Sequence, residues 1–329
     1  MKYPTSRLQA TIRRGIFLFL LLPLPLLQAQ AELSGTREEI HPLFYVDLVS
    51  FRSEKPHHSR LDIYLKIMYD DLQFTKLAAD SFRAIYEVSA IISDEDDFQI
   101  NGRTWRDTVI VKSFDATNSR TMFRFGETRF DLPPDKYRVS VGVTDVDTRR
   151  TAYRKSQVVV REFSKDKLSL SDVLIADGTS PDSSGLIIPH PQVAAPRREG
   201  SRLFAFFEIY DTSESKEYEL SYSLKNLKGE KVFQRQAMVQ HTGQITPVVA
   251  ELPNHQLAHG VYLIRIDAKT DHSKAYTERE IVLHWVGIPP NIVDLDKAIE
   301  QMRYIAKKDG LKKIKSAPPE KRREAFLQF

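Results

Sequence analysis

Arg60-Leu61-Asp62-Ile63-Tyr64-Leu65-Lys66-Ile67 is the stretch that decides the fold class. Its odd positions are apolar and its even positions polar or amphipathic, the period-two pattern of a strand with one face on a core and the other in water. Segments of the same kind lie around it at 44–51, 82–92, 108–114, 137–144 and 156–163. Polar turns punctuate them at Asp94-Glu95-Asp96-Asp97, Asn101-Gly102 and Pro133-Pro134-Asp135. Closely spaced strands with no helical pattern between them predict an antiparallel sandwich over residues 43–163.

A second region, 201–287, repeats the pattern. Tyr137-Arg-Val-Ser-Val-Gly-Val, followed by Tyr153 and Val158-Val159-Val160, matches Tyr262-Leu-Ile-Arg-Ile-Asp-Ala, followed by Tyr276 and Ile281-Val282-Leu283. Leu132-Pro133 and Leu252-Pro253 precede the two tyrosine-led strands. The tyrosine spacing is 16 in the first region and 14 in the second, a difference that a turn longer by two residues absorbs. The match reads as an internal duplication, and the paired tyrosines as packing near a strand entrance. The chain is therefore expected to be mainly β: two tandem antiparallel Ig-like β-sandwich domains followed by a short α-helical C-terminal segment. Between them, 164–200 holds four prolines and a Gly/Ser/Asp stretch, yet also Val173-Leu174-Ile175 and Leu186-Ile187-Ile188. Such a connector is expected to lie against a domain surface rather than swing freely.

After Pro289-Pro290 the period changes. Leu295, Ala298, Ile299, Met302, Ile305 and Ala306 form one apolar stripe, predicting an amphipathic helix that closes near Asp309-Gly310. A second helical piece is expected from Pro318-Pro319 onward. It carries Ala325, Phe326 and Phe329, for which the sequence offers no partner; 288–329 is therefore read as a helical tail that leads into a further segment.

At the other end, residues 1–31 have the form of a secretory signal peptide: basic residues at 2, 7, 13 and 14, an apolar run from Ile16 to Leu27, then Ala29-Gln30-Ala31. The run is too short to cross a bilayer, which takes roughly 20 apolar residues. Cleavage before Glu32 is expected, with a short lead over 32–42 and no transmembrane segment afterwards. Export by the general secretory route places the mature chain in the periplasm, on the outer membrane or outside the cell. Without cysteine there is neither a thiol-anchored lipid nor a disulfide, so packing alone holds the fold. Removing the leader's four basic residues leaves 44 Lys+Arg against 44 Asp+Glu, a balance that gives no support to a nucleic-acid partner.

Candidate chemistry is sparse. No two of the 13 glycines lie within two positions of each other, which excludes the common phosphate-cradling loops, and Gly-x-Ser-x-Gly is absent. His255 and His259 have the spacing of a helical metal pair but stand before a strand without a nearby carboxylate, and His57-His58 sits in a loop. Asp94-Glu95-Asp96-Asp97 offers oxygen ligands without the alternation of a dedicated calcium loop. Trp105 and Trp285 lie at strand ends and read as core or rim packing. No residue is assigned a catalytic, cofactor-binding or metal role.

Phe44-Tyr-Val-Asp-Leu-Val-Ser-Phe-Arg-Ser, Ser59-Arg-Leu-Asp-Ile-Tyr, Tyr69-Asp-Asp-Leu-Gln-Phe and Arg103-Thr-Trp resemble the N-terminal part of bacterial exported proteins named for a Gly-Trp-x-Thr-Asp (GWxTD) domain. Gln301-Met-Arg-Tyr-Ile-Ala and Pro318-Pro-Glu-Lys-Arg-Arg-Glu-Ala-Phe are similar to the segment that leads into that domain. The motif itself does not occur here, so none of its residues is carried over. The resemblance implies a signal peptide, sandwich modules and a helical C-terminal region, but no activity. The sequence thus points to an exported non-enzymatic structural or interaction protein whose partner is a protein or a cell-envelope component. A carbohydrate or envelope-polymer binding module, which an exposed aromatic strip on a sheet face favours, is the first alternative. A hydrolase, which a cleft joining His to a carboxylate or Ser favours, is the second.

Overall fold

The computed structural model describes residues 42–163, 167–181, 183, 187–193, 202–213, 215–253, 257, 260–283, 299–300, 308–317 and 325–326. In it, 60–67 lies within strand β2 (Ser59–Met68), at the centre of an antiparallel sheet between β1 (Phe44–Arg52) and β6 (Phe123–Leu132). The facing sheet is built on β4 (Ser81–Ser93), which pairs with β5 (Gln99–Val111) along one edge and with β7 (Asp135–Asp145) along the other. β8 (Thr151–Val160) extends this sheet beyond β7, and β3 (Thr75–Ala78) pairs with the start of β4. Leu61, Ile63, Leu65 and Ile67 point into the space between the sheets, where they meet Val88, Val139 and Val141. Each such aliphatic side chain, taken wholly out of water, stabilises the sandwich by about 1.5–3 kcal/mol.

The second sandwich has the same plan. Its first sheet is centred on β12 (Phe204–Asp211), with β15 (Ile245–Glu251) on one side and both β9 (Leu168–Leu170) and β10 (Leu174–Pro181) on the other; β11 (Ile187–Pro191) continues beyond β10. The stretch 164–200, expected as a connector against a surface, thus supplies three strands to this sheet. The facing sheet runs β14 (Lys231–Gln240), β13 (Glu217–Asn226), β16 (Gly260–Lys269), β17 (Lys274–Leu283). Ala205, Phe207 and Ile209 of β12 meet Leu220, Ile264 and Ile266 in an apolar core.

The duplication holds at the level of register. Tyr153 pairs with Gly142, five residues after Tyr137, and Tyr276 pairs with Asp267, five residues after Tyr262. Six residues separate the last pair of the first hairpin, Thr144 and Thr151, against four between Lys269 and Lys274, and this turn absorbs the difference in tyrosine spacing. Tyr137 and Tyr262 are buried, and the Tyr137 hydroxyl donates to the Pro133 carbonyl at 2.9 Å, four residues back, as in the tyrosine corner of immunoglobulin-like sandwiches. Tyr153 and Tyr276 depart from the packing expected of the pairs. Both lie on the outer face of their sheets and are 55% exposed.

Three further expectations are corrected. Asn101-Gly102 lies within β5, opposite Ile92 and Ile91, because the Asp94–Asp97 turn has already reversed the chain. Asp309-Gly310, expected to close the tail helix, lies inside a helix, Lys308–Ser316, whose Leu311 and Ile314 join a small apolar cluster; of the expected helix over 295–306 only 299–300 fall among the described residues, and they are helical. Ala325 and Phe326 have a partner after all, in a small cluster with Ile299, Leu311 and Ile314. The fourth correction concerns the second face of β2, which is not in water.

Candidate functional site at the seam between the sandwiches

The even-numbered face of β2 and the odd-numbered face of β1 look away from the first core, toward the second sandwich. Val49, Phe51 and Tyr64 are buried there against Leu174, Val193 and Phe206. β12 is therefore covered on both sides: Ala205, Phe207 and Ile209 in its own core, Phe206 and Tyr210 in the seam. The Phe51 and Phe206 rings stand 6.1 Å apart in a tilted pair, a favoured aromatic geometry.

Charge is buried with these rings. Asp62 is 1% exposed; its carboxylate accepts from Arg60 Nε at 2.8 Å and Nη2 at 3.1 Å, and from the Tyr64 hydroxyl at 3.1 Å. The Arg60 guanidinium also lies 5.0 Å over the Phe51 ring, and it feels the charge of Glu208 on β12 as well as that of Asp62. Glu208 in turn accepts from the Tyr210 hydroxyl at 2.6 Å, and that hydroxyl accepts from the Arg52 amide at 2.8 Å. Burial holds both the Asp62 and Glu208 carboxyls above the ordinary carboxylate range; their partners, chiefly Arg60 for Asp62 and the Tyr210 hydroxyl for Glu208, offset this only in part. Burial likewise raises the Tyr64 and Tyr210 hydroxyls, so both remain protonated donors at any physiological pH.

Two further links cross the seam. Ser171-Asp172 forms a staple: the Ser171 amide bonds to the Glu208 carbonyl, while Asp172 exchanges bonds with Ser50, amide to carbonyl at 3.0 Å and carboxylate to amide at 2.9 Å. Arg161 holds the other carboxylate oxygen of Asp172 at 2.7 Å. From β17, Arg279 reaches the Val173 carbonyl and the Asp47 carboxylate on β1. An arginine of the last described strand is thus tied to an aspartate of the first. Chemically the seam is a clamp, with each carboxylate engaged by a donor.

The residues singled out in the sequence lie elsewhere. Asp94 folds over its own turn, accepting from the Asp96 and Phe98 amides, while Asp97 pairs with Arg138 at 2.6 Å and Glu95 with Lys136 at 3.8 Å. His57 and His58 form the β1–β2 turn, with the His58 ring 2.8 Å from the Pro56 carbonyl. Trp105 packs half-buried against the first core, under the Arg103 guanidinium. His255, His259 and Trp285 lie outside the described residues. Among the described residues no group of three or more His, Asp or Glu is placed to hold a metal, and no helix is long and apolar enough to cross a membrane. A cleft of about 210 Å³ beside Asp70, Asp71 and Asp145 is lined by polar groups, and Asp145 is saturated within it by the Gln73 and Thr148 amides.

Sequence reasoning missed the seam, although a signal was present. Phe204-Ala205-Phe206-Phe207 and Ile209-Tyr210 are apolar or aromatic at both parities, the mark of a strand buried on both faces, with Glu208 the exception among them.

The fold and seam define a tandem β-sandwich protein with a sealed joint. No family model matches the chain, and no curated protein matches it. Among solved structures it is similar to dimeric latent PorU from Porphyromonas gingivalis, with 11% identity over 73% of this chain and 20% of that one and a TM-score of 0.27. It is also similar to a calcium binding mutant of Bacteroides uniformis β-glucuronidase 2, with 10% identity, coverages of 72% and 28%, and a TM-score of 0.26. A DUF3823 family protein from Bacteroides ovatus gives 10% identity, coverages of 65% and 95%, and a TM-score of 0.23. The chain spans less than a third of the length of the first two.

Proposed function

We propose that this chain is an exported, non-enzymatic structural protein of the cell envelope, related to the GWxTD proteins, whose paired sandwiches act as a rigid spacer carrying faces for a protein partner. The observation that carries this reading is the seam. A string of independent modules has polar outer sheet faces and a solvated linker, whereas here Phe51, Tyr64, Phe206 and Asp62 are buried between sandwiches and the intervening stretch is woven into a sheet. Rigidity of this kind suits a part that fixes distance or orientation. The leader, the absence of cysteine and the balanced charge support an exported setting.

Because the chain has no cysteine, spin labels can be placed at will. With one label at exposed Ile110 and one at exposed Met238, electron–electron resonance should give a single narrow distance distribution. A broad distribution overturns the spacer reading. N-terminal sequencing of the exported protein should begin at Glu32, and retention of Met1 counts against cleavage.

A further inference from the structure

We propose that the outer face of the five-stranded sheet of the first sandwich carries a groove for a neutral pyranoside chain, with the Tyr153 ring as its stacking platform. The register places Tyr153, Gly142, Ser89 and Thr104 side by side across β8, β7, β4 and β5. All but Tyr153 are small, so the row is a shallow trough with an aromatic ring at one end. Three strand spacings of about 4.8 Å make it about 14 Å long, room for a short run of pyranose rings.

The ring is seated by the glycine. A Cβ at Gly142 would meet Tyr153 Cε1 at 2.7 Å and Cδ1 at 3.0 Å, so one side of the ring rests on bare backbone while the residue stays 55% exposed. Tyrosine held in this way offers an apolar surface to the C–H face of a sugar, and its hydroxyl remains free to bond. Ser89 and Thr104 supply further hydroxyls along the trough. On one flank Arg106 is paired with Glu87 at 3.2 Å. On the other flank exposed Lys155 stands opposite Ser140, but the row itself is lined by hydroxyls and carries no charge, which fits a neutral glycan better than an anionic one. A protein partner would find no desolvated apolar centre here of the kind that anchors interfaces.

In the duplicate the tyrosine is equally exposed, but an arginine occupies one face of its ring. Its row is Tyr276, Asp267, Ser221 and Gln236. Asp267 stands where Gly142 stands in the first sandwich. Arg265 takes the place of Ser140; its guanidinium bonds to Asp267 and Glu278 and lies 4.1 Å over the Tyr276 ring. Three substitutions between the copies, Gly142 to Asp267, Ser140 to Arg265 and Lys155 to Glu278, thus separate a tyrosine with an arginine on its ring from one without.

The test uses the full chain and two probes, cellohexaose and chitohexaose, titrated to millimolar concentration while backbone amide resonances are followed. At least one probe should shift the signals of residues 89, 104, 142 and 153 together. Tyr153→Ala should weaken that binding about tenfold, about 1.4 kcal/mol, Tyr153→Phe should retain most of it, and Tyr276→Ala should leave it unchanged. Gly142→Asp, which installs the residue of the duplicate, should abolish it. The proposal is overturned if neither probe shifts these four residues, if Tyr153→Ala binds as the parent does, or if Tyr276→Ala loses as much. Thermal melting of each variant separates lost binding from lost folding, and Tyr153→Phe keeps the question decidable should Gly142→Asp fail to fold.

Discussion

The two sandwich cores and the seam between them bury similar rings with different chemistry. Inside the second sandwich Phe207 packs within an apolar cluster; its neighbour Phe206, on the other face of β12, shares the seam with Arg60, Asp62 and Glu208. An apolar core is tolerant of how its parts are oriented, because hydrophobic contact has no direction. Buried charge is not, since an unpaired carboxylate out of water costs several kcal/mol. The seam therefore selects one relative placement of the sandwiches, while the cores supply the bulk of the stability.

This contrast breaks first on the adjacent phenylalanines. Phe207→Ala empties a fully buried site and should cost about 3–5 kcal/mol, read as a large fall in melting temperature or failure to fold. Phe206→Ala should cost less and should broaden the spin-label distance between the sandwiches, which Phe207→Ala in its surviving folded fraction should not. Equal costs with no broadening would show that the seam is merely more core.

Arg60→Ala probes the charge. Breaking a fully buried pair costs about 3–5 kcal/mol, but the Arg60 side chain is one-third exposed, so the expected loss is about 2 kcal/mol. Replacing Arg60 and Asp62 together by Met and Leu should recover most of that stability while leaving the distance distribution broader than in the parent. A pair of variants that are equally weak would assign the loss to packing of the Arg60 stem rather than to stranded charge.

A smaller effect tests the duplication. Tyr137→Phe removes the hydroxyl that caps the Pro133 carbonyl and should cost about 1 kcal/mol by denaturant unfolding.

Most of the fold was legible because strand periodicity is local. The alternation in 60–67 and the matching tyrosine-led hairpins are patterns of near neighbours, and the structure keeps them with their register. What was not legible is the partner of an outward face. Polar residues at 60, 62, 64 and 66 read as a solvated side, since period-two reading cannot distinguish water from a second protein surface that supplies compensating donors. The Asn101-Gly102 turn failed for a similar reason, as turn chemistry says that a reversal is possible there but not that the preceding Asp94 has already made it.

The finest effect concerns pH, and the sign matters. Asp62 and Glu208 have carboxyls held above their ordinary range in the fold, burial being the largest cause for both. A group whose folded value is raised binds its proton more tightly folded than unfolded, so its contribution is fully present below the unfolded value, about 4, and is lost as pH rises through the folded value. The seam should accordingly be tighter in mild acid than at neutrality, the reverse of what ordinary paired surface carboxylates do. The groups facing these two limit the effect: Arg60 and, at 3.9 Å, Arg129 favour the charged form of Asp62, while the Tyr210 hydroxyl favours that of Glu208. Ser50 and Arg52 amide exchange reports the seam directly, because their acceptors are Asp172 and Tyr210 across it. Relative to amides of the two cores, their protection should fall as pH is raised from about 4 toward 7, once intrinsic exchange rates are divided out. In Asp62→Asn combined with Glu208→Gln, which cannot titrate, that relative fall should vanish. A fall that persists in the double variant would show that neither of these two carboxyls is its origin.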